Sequence, residues 1–181
     1  MSKLSPKISD EDLAVIRKLR MKSVYVWLAT WFGSGFMRPA PGTWGTLAAL
    51  PFGLLFLAFA NTAALIIGIL FVSAIGWWAA KEFEKDSGVH DSKMIVIDEV
   101  AGMWLTIVPI SLYVSADAPL FSVYVVLSFI LFRFFDIIKP WPVSFFDQKV
   151  GGASGVMADD IMAGIYAALV LTGIIYYAGS G

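Results

Sequence analysis

The stretch Thr46–Ala80, TLAALPFGLLFLAFANTAALIIGILFVSAIGWWAA, carries no charge and one polar break, at Asn61-Thr62. Its second half, Thr62–Ala80, is nineteen uncharged residues long. A helix needs about 20 apolar residues to cross a bilayer, with roughly 17 as the lower end. Two antiparallel membrane spans joined by a tight polar turn fit this pattern. Period-two alternation is missing, so strands are not expected.

Further apolar runs lie on either side. Val100–Val114 is a short run containing Pro109, and Leu120–Phe132 continues after the turn Ser115–Pro119. Ile161–Ala178 is the last. Upstream, Val24–Met37 is apolar but short and enters the Gly/Pro-rich loop Gly33–Gly45, so it reads as an interfacial or partly buried helix. The expectation is an all-α polytopic membrane protein with about five apolar helices. Residues 1–22 form an N-terminal amphipathic, basic extension whose helix starts at Ser9 and ends near Lys22. Residues 23–181 form a single membrane-embedded helical domain. The N-terminus lacks an early apolar run, so it does not read as a signal peptide.

Composition agrees. Of 181 residues, 59% are hydrophobic and 15% charged, and the mean hydropathy is +0.78. A soluble domain carries roughly 25% charge. The net charge of −1 supplies no field to gather nucleic acid. The absence of cysteine excludes disulfides, thiolate metal sites and Cys nucleophiles, and a single histidine excludes any mechanism needing two.

The placement of the charges is more telling than their sum. With five spans and the N-terminus inside, all thirteen Lys and Arg fall in Met1–Gly45, Lys81–Glu99 and Arg133–Asp160, which are then cytoplasmic. The only charge outside is Asp117. The same topology brings every polar-rich segment to one face, so distant segments can build one site at the cytoplasmic membrane boundary.

Several of these charges interrupt apolar sequence. Asp98 and Glu99 in MIVIDEVAGMW stand at the mouth of the third span, where carboxylates need a cation or donors. The alternative is a pair of helix-end acids favoured by the dipole. Asp159 and Asp160 in GGASGVMADDIMAG stand at the start of the last span. Gly102 and Gly164 follow Asp98 and Asp160 by one turn, on the same helix face, where a small residue admits a second helix or a substrate. In FRFFDIIKPWPVSFFD, Arg133, Asp136 and Lys139 recur every three residues along one stripe, and Pro140 and Pro142 stop the helix. Arg and Lys there suit phosphate, or else form a salt-bridge ladder with Asp136. Asp147 reads as a loop or capping residue. His90, beside Asp91, suits a general acid or base, or a polar loop position.

Carboxylates without Cys, and with one His, favour Mg²⁺, which takes one or two carboxylates plus phosphate oxygens and water. Magnesium-assisted phosphoryl chemistry on a membrane-embedded substrate follows. The competing class is a small transporter or channel, which needs a charge near a span's midplane or an internal repeat; neither is evident.

Four blocks, GSGFMRPAPGTWGTLAALP, GVHDSKMIVIDEVAGMW, FRFFDIIKPWPVSFFD and GGASGVMADDIMAG, resemble the signature blocks of the phosphatidylglycerophosphatase A family, in order and at similar spacing, over about Trp31 to Ala167. The resemblance implies Mg²⁺-dependent removal of the terminal phosphate of phosphatidylglycerophosphate at the bacterial inner membrane. A phosphatase for a different lipid phosphate is the nearest alternative. It points to Asp98, Glu99, Arg133, Asp136, Lys139, Asp159 and Asp160, and adds Gly42 and Thr43. The expected roles are Mg²⁺ on Asp98, Glu99 and Asp160, and phosphate on Arg133 and Lys139 near Gly42 and Thr43. Asp159, Asp136 or His90 would position the attacking water, and a covalent aspartyl-phosphate is the alternative route.

Overall fold

The structure is a computed structural model that describes residues 9–90, 92–141, 143–145 and 150–179; Asp91, Pro142 and Asp147 lie outside the described residues. Among these residues the regular structure is helical throughout. The N-terminal helix α1 (Asp10–Lys18) starts where Ser9 predicts, because the Ser9 side chain accepts from the Asp12 N–H and Asp12 answers the Ser9 N–H. It ends at Lys18, before the expected Lys22, since Leu19 is already extended. The run after it forms only a short helix, α2 (Val24–Ala29), and a 3₁₀ turn at Ser34–Phe36.

Helices α3 (Pro41–Phe59) and α4 (Thr62–Ser87) are the hairpin read from the uncharged stretch. The Asn61 side chain caps α4 by accepting from Ala64 N–H, and Gly88 closes it in the left-handed region at φ +71°. Pro51 stays inside α3, where its ring disturbs the preceding turn. Two indoles support that turn: Trp31 Nε1 donates to the Ala48 carbonyl at 3.2 Å and Trp104 Nε1 to the Ala49 carbonyl at 3.0 Å.

The third apolar run differs from expectation. It divides at Ile107 into α5 (Ile97–Thr106) and α6 (Val108–Tyr113), with Pro109 in the first turn of α6. Proline cannot donate into a continuous helix, and it fits a helix start. Helices α7 (Phe121–Ile138) and α8 (Gly152–Gly179) complete the chain. Four helices, α3, α4, α7 and α8, are each long and apolar enough to cross a membrane; the remaining expected span is the run divided between α5 and α6. Only 17–33% of their apolar windows is buried inside the protein. Residues such as Ile67, Phe71, Val126 and Leu169 are exposed, as a lipid-facing surface requires.

The short α5 is the centre of the bundle. Val100, Ala101, Gly102 and Met103 are fully or almost fully buried, with α8 against one side and α3, α4 and α7 around the rest. Gly102 and Gly164 are where α5 meets α8. A Cβ on Gly164 would lie 2.6 Å from the Gly102 carbonyl oxygen, and one on Gly102 would lie 2.6 Å from the Asp160 carbonyl oxygen. The two backbones therefore touch, as small residues permit between membrane helices. The second helix admitted by these glycines is each other's. The loop before α5 is tied down by the Val96 N–H, which donates to the Ala29 carbonyl at 2.8 Å.

Candidate active site

The contact between α5 and α8 decides which acids meet. Asp98 and Glu99 occupy the first turn of α5, and Asp160 lies one turn before Gly164 in α8. With the backbones in contact, Asp98, Glu99 and Asp160 each offer an oxygen within 4.8 Å of the others. Asp98 is 8% exposed and Asp160 4%. Carboxylates gathered in an apolar interior repel one another and lose hydration, which a cation or protons must offset. Asp98 Oδ1 and Glu99 Oε2 are buried without a hydrogen-bond partner among the described residues.

Arg133 reaches the same place from α7. Its NH1 lies 2.7 Å from Asp136 Oδ2 and 3.9 Å from Glu99 Oε1, while Nε is buried without a partner. The ladder expected along α7 is only half built. Arg133 pairs with Asp136 as the three-residue spacing predicts. Lys139 falls past the helix end, takes a left-handed conformation at φ +47°, and turns to Asp159, with Nζ to Oδ2 at 2.6 Å. Helix α7 stops there because Pro140 follows. Asp159 also accepts from the Asp160 N–H at 3.0 Å, so the Lys139–Asp159 pair adjoins the triad.

The N-terminal turn of α3 forms another wall. A Cβ on Gly42 would collide with the Glu99 carboxylate and come within 3.2 Å of Arg133 NH1. Only glycine permits that approach. Thr43 is half-buried in the same turn. His90 stands further out. Its side chain is 85% exposed, its Nδ1 lies 3.5 Å from Glu84 Oε2, and it borders a cavity that ends on Asp159.

Two residues were not singled out from the sequence. Thr46 is fully buried, donates to the Gly42 carbonyl at 2.8 Å and accepts from Arg133 NH1 at 3.3 Å. It lies four residues after Gly42, so helical spacing was the available signal. Glu84 reads as part of a solvated helix face but is buried beneath His90.

A helical membrane protein with three inward carboxylates, an adjoining Arg and a Lys–Asp pair at one end is equipped to hold a cation against a phosphate. The phosphatidylglycerophosphatase A family model matches residues 27–175, and the chain belongs to this family. A relative named phosphatidylglycerophosphatase A from Haemophilus influenzae is 35% identical over 162 residues, 90% of this chain and 95% of that protein. One of the same name from Escherichia coli is 38% identical over 169 residues, 93% of this chain and 91% of its own. A protein from Bacteroides thetaiotaomicron, named provisionally as a phosphatidylinositol-3-phosphatase, is 39% identical over 152 residues, 81% of this chain and 90% of its own. No solved structure matches the chain.

Proposed function

We propose that the chain hydrolyses the terminal phosphomonoester of phosphatidylglycerophosphate, releasing phosphatidylglycerol and inorganic phosphate at the cytoplasmic face of a bacterial inner membrane. The observation that carries this reading is the buried triad Asp98, Glu99 and Asp160, with two orphaned carboxylate oxygens, beside Arg133. An all-oxygen donor set without His or Cys fits Mg²⁺. Those three residues would hold it, and when bound it supplies charge neutralisation of the phosphate.

The chain's own groups account for the rest. Arg133 presents donors to the phosphate oxygens, with Asp136 and Thr46 fixing its guanidinium. Gly42 keeps the α3 turn close enough to leave no side chain in the way. Water attacks phosphorus and the bond to the glycerol oxygen breaks. Asp159 orients that water and takes its proton. The departing oxygen, on the far side of phosphorus, takes a proton from water. The Lys139 ammonium, 2.6 Å from Asp159, holds that carboxylate in place, and the proton Asp159 takes is released to water. Asp136, paired with Arg133, and His90, which borders the cavity that ends on Asp159, are the alternatives for orienting the water. Electrostatic stabilisation and positioning are the main barrier-lowering effects in phosphoryl transfer.

The test is phosphate release in detergent from a panel of lipid phosphates, with Mg²⁺ and after chelation. Phosphatidylglycerophosphate should be cleaved only with the metal restored. Release confined to water-soluble esters, or undiminished by chelation, would overturn the reading.

A further inference from the structure

Helix α8 carries two polar side chains on one stripe toward α7. Asp159 and Tyr166 are seven residues apart, two turns, so they share a helix face. Asp159 meets the Lys139 ammonium at 2.6 Å. Side chains on a helix lean toward its N-terminus, which brings the Tyr166 hydroxyl to the segment that follows α7. There it donates to the Trp141 carbonyl at 3.1 Å. The Tyr166 ring stacks on Phe135, with centroids 5.5 Å apart and planes at 25°. Tyr166 therefore holds the chain on both sides of Lys139.

Lys139 needs that hold. It caps α7 in the left-handed region at φ +47°, which a residue with a side chain keeps only where its surroundings impose it. Pro140 follows, and its ring fixes φ. With Pro140 rigid, a restraint on the Trp141 carbonyl is passed back to the Lys139 backbone. That backbone sets the point from which the side chain reaches Asp159. Because the Tyr166 hydroxyl is engaged by a backbone carbonyl, it acts through this turn and not on the phosphate.

We propose that Tyr166 is a positioning residue: its hydroxyl holds the turn 139–141 so that the Lys139 ammonium stays on Asp159, the carboxylate that orients the attacking water. The proposal rests on the lipid-phosphatase reading above. A role in packing alone would need the ring and not the hydroxyl.

The experiment measures steady-state phosphate release from phosphatidylglycerophosphate in detergent with Mg²⁺. Wild type, Tyr166→Phe, Lys139→Met and the double variant are compared. Tyr166→Phe keeps the ring and its stacking. Its kcat should fall about fivefold, the equivalent of one hydrogen bond, with KM unchanged. In the Lys139→Met background the same substitution should change kcat by less than about twofold, because the ammonium it serves is already gone. An unchanged kcat in Tyr166→Phe, a change that falls on KM instead, or the same loss in both backgrounds overturns the positioning role and leaves the phosphatase reading intact. A second measurement needs no turnover, and it decides where Lys139→Met is too slow to read. The chain has no cysteine, so Lys139→Cys carries the only thiol. Its alkylation in detergent should be several-fold faster once Tyr166→Phe is added. Equal rates would show that the hydroxyl does not hold the turn. A wild type that releases no phosphate from the lipid overturns both the positioning role and the reading it rests on.

Discussion

Arg133 is held from three directions, by Asp136, by the fringe of Glu99 and by the Thr46 hydroxyl. The first two were legible in the sequence as embedded charges. The third was not, because a threonine in an apolar helix has no charge to mark it. Its role is positioning: it ties the Gly42 carbonyl and the guanidinium to one oxygen. Thr46→Val keeps the shape and removes the hydroxyl, leaving a buried donor short of its acceptor. The expected loss in kcat/KM is about tenfold, from roughly 1–1.5 kcal/mol for one hydrogen bond. Thr46→Ser should restore most of it. Steady-state kinetics on both variants check this. Equal activity in all three proteins would show that Arg133 needs no such support. The opposite case is Lys139, which the three-residue spacing places on the Arg133 stripe. The helix ends one residue too early for that, and the side chain serves Asp159 instead.

Helix α1 shows how an element outside the apolar body is attached. Val15 and Leu19 bury one face, and Asp12 receives the Arg38 guanidinium at 2.8 Å from NH2 and 3.1 Å from Nε. Partial burial pushes the Asp12 carboxyl up, but hydrogen bonds from Arg38 and Ser9 outweigh it and hold the group below its ordinary value of 3.8. A carboxyl with a lowered folded pKa stabilises fully above its unfolded pKa, and that contribution disappears as pH falls through the folded value. Attachment of α1 should therefore be constant above about pH 4 and weaken below it. Amide hydrogen exchange of Asp10–Lys18 in detergent at several pH values measures this, and Asp12→Asn should abolish the pH dependence. Protection that is indifferent to both acid and the substitution would leave the ion pair without a part in docking. Elsewhere, the element boundaries that could be read were those with local chemistry: the helix start at Ser9 and the turn at Asn61. The division of the third run at Ile107 depended on how Pro109 was accommodated. An apolar run containing proline is compatible with one disturbed helix, as in α3 at Pro51, or with two, as here.

At the scale of the whole molecule, the contacts bring the start of α3, the start of α5, the end of α7 and the start of α8 to one end of the bundle. One-sided Lys and Arg predicted that gathering from sequence alone. The Gly102–Gly164 contact that sets the depth of the triad was visible only as two small residues, since sequence does not say which helices pair. The topology we propose puts this end in the cytoplasm. Because the chain has no cysteine, single substitutions report orientation without background. Asp117→Cys should react with an impermeant thiol reagent on intact spheroplasts, and Lys85→Cys only after the membrane is opened. The reverse pattern would invert the protein and place its site away from the cytoplasm.

On the proposed mechanism, Asp98, Glu99 and Asp160 act together on a phosphate. Mg²⁺-dependent phosphate release by Asp98→Asn and Asp160→Asn, in protein whose helix content and detergent-solubilised size match wild type, tests it most directly. Each substitution removes one charge and keeps the volume. Either one should lower turnover by about 10²–10³-fold, the scale of losing one preorganised electrostatic group. Near-normal turnover in both variants would contradict it.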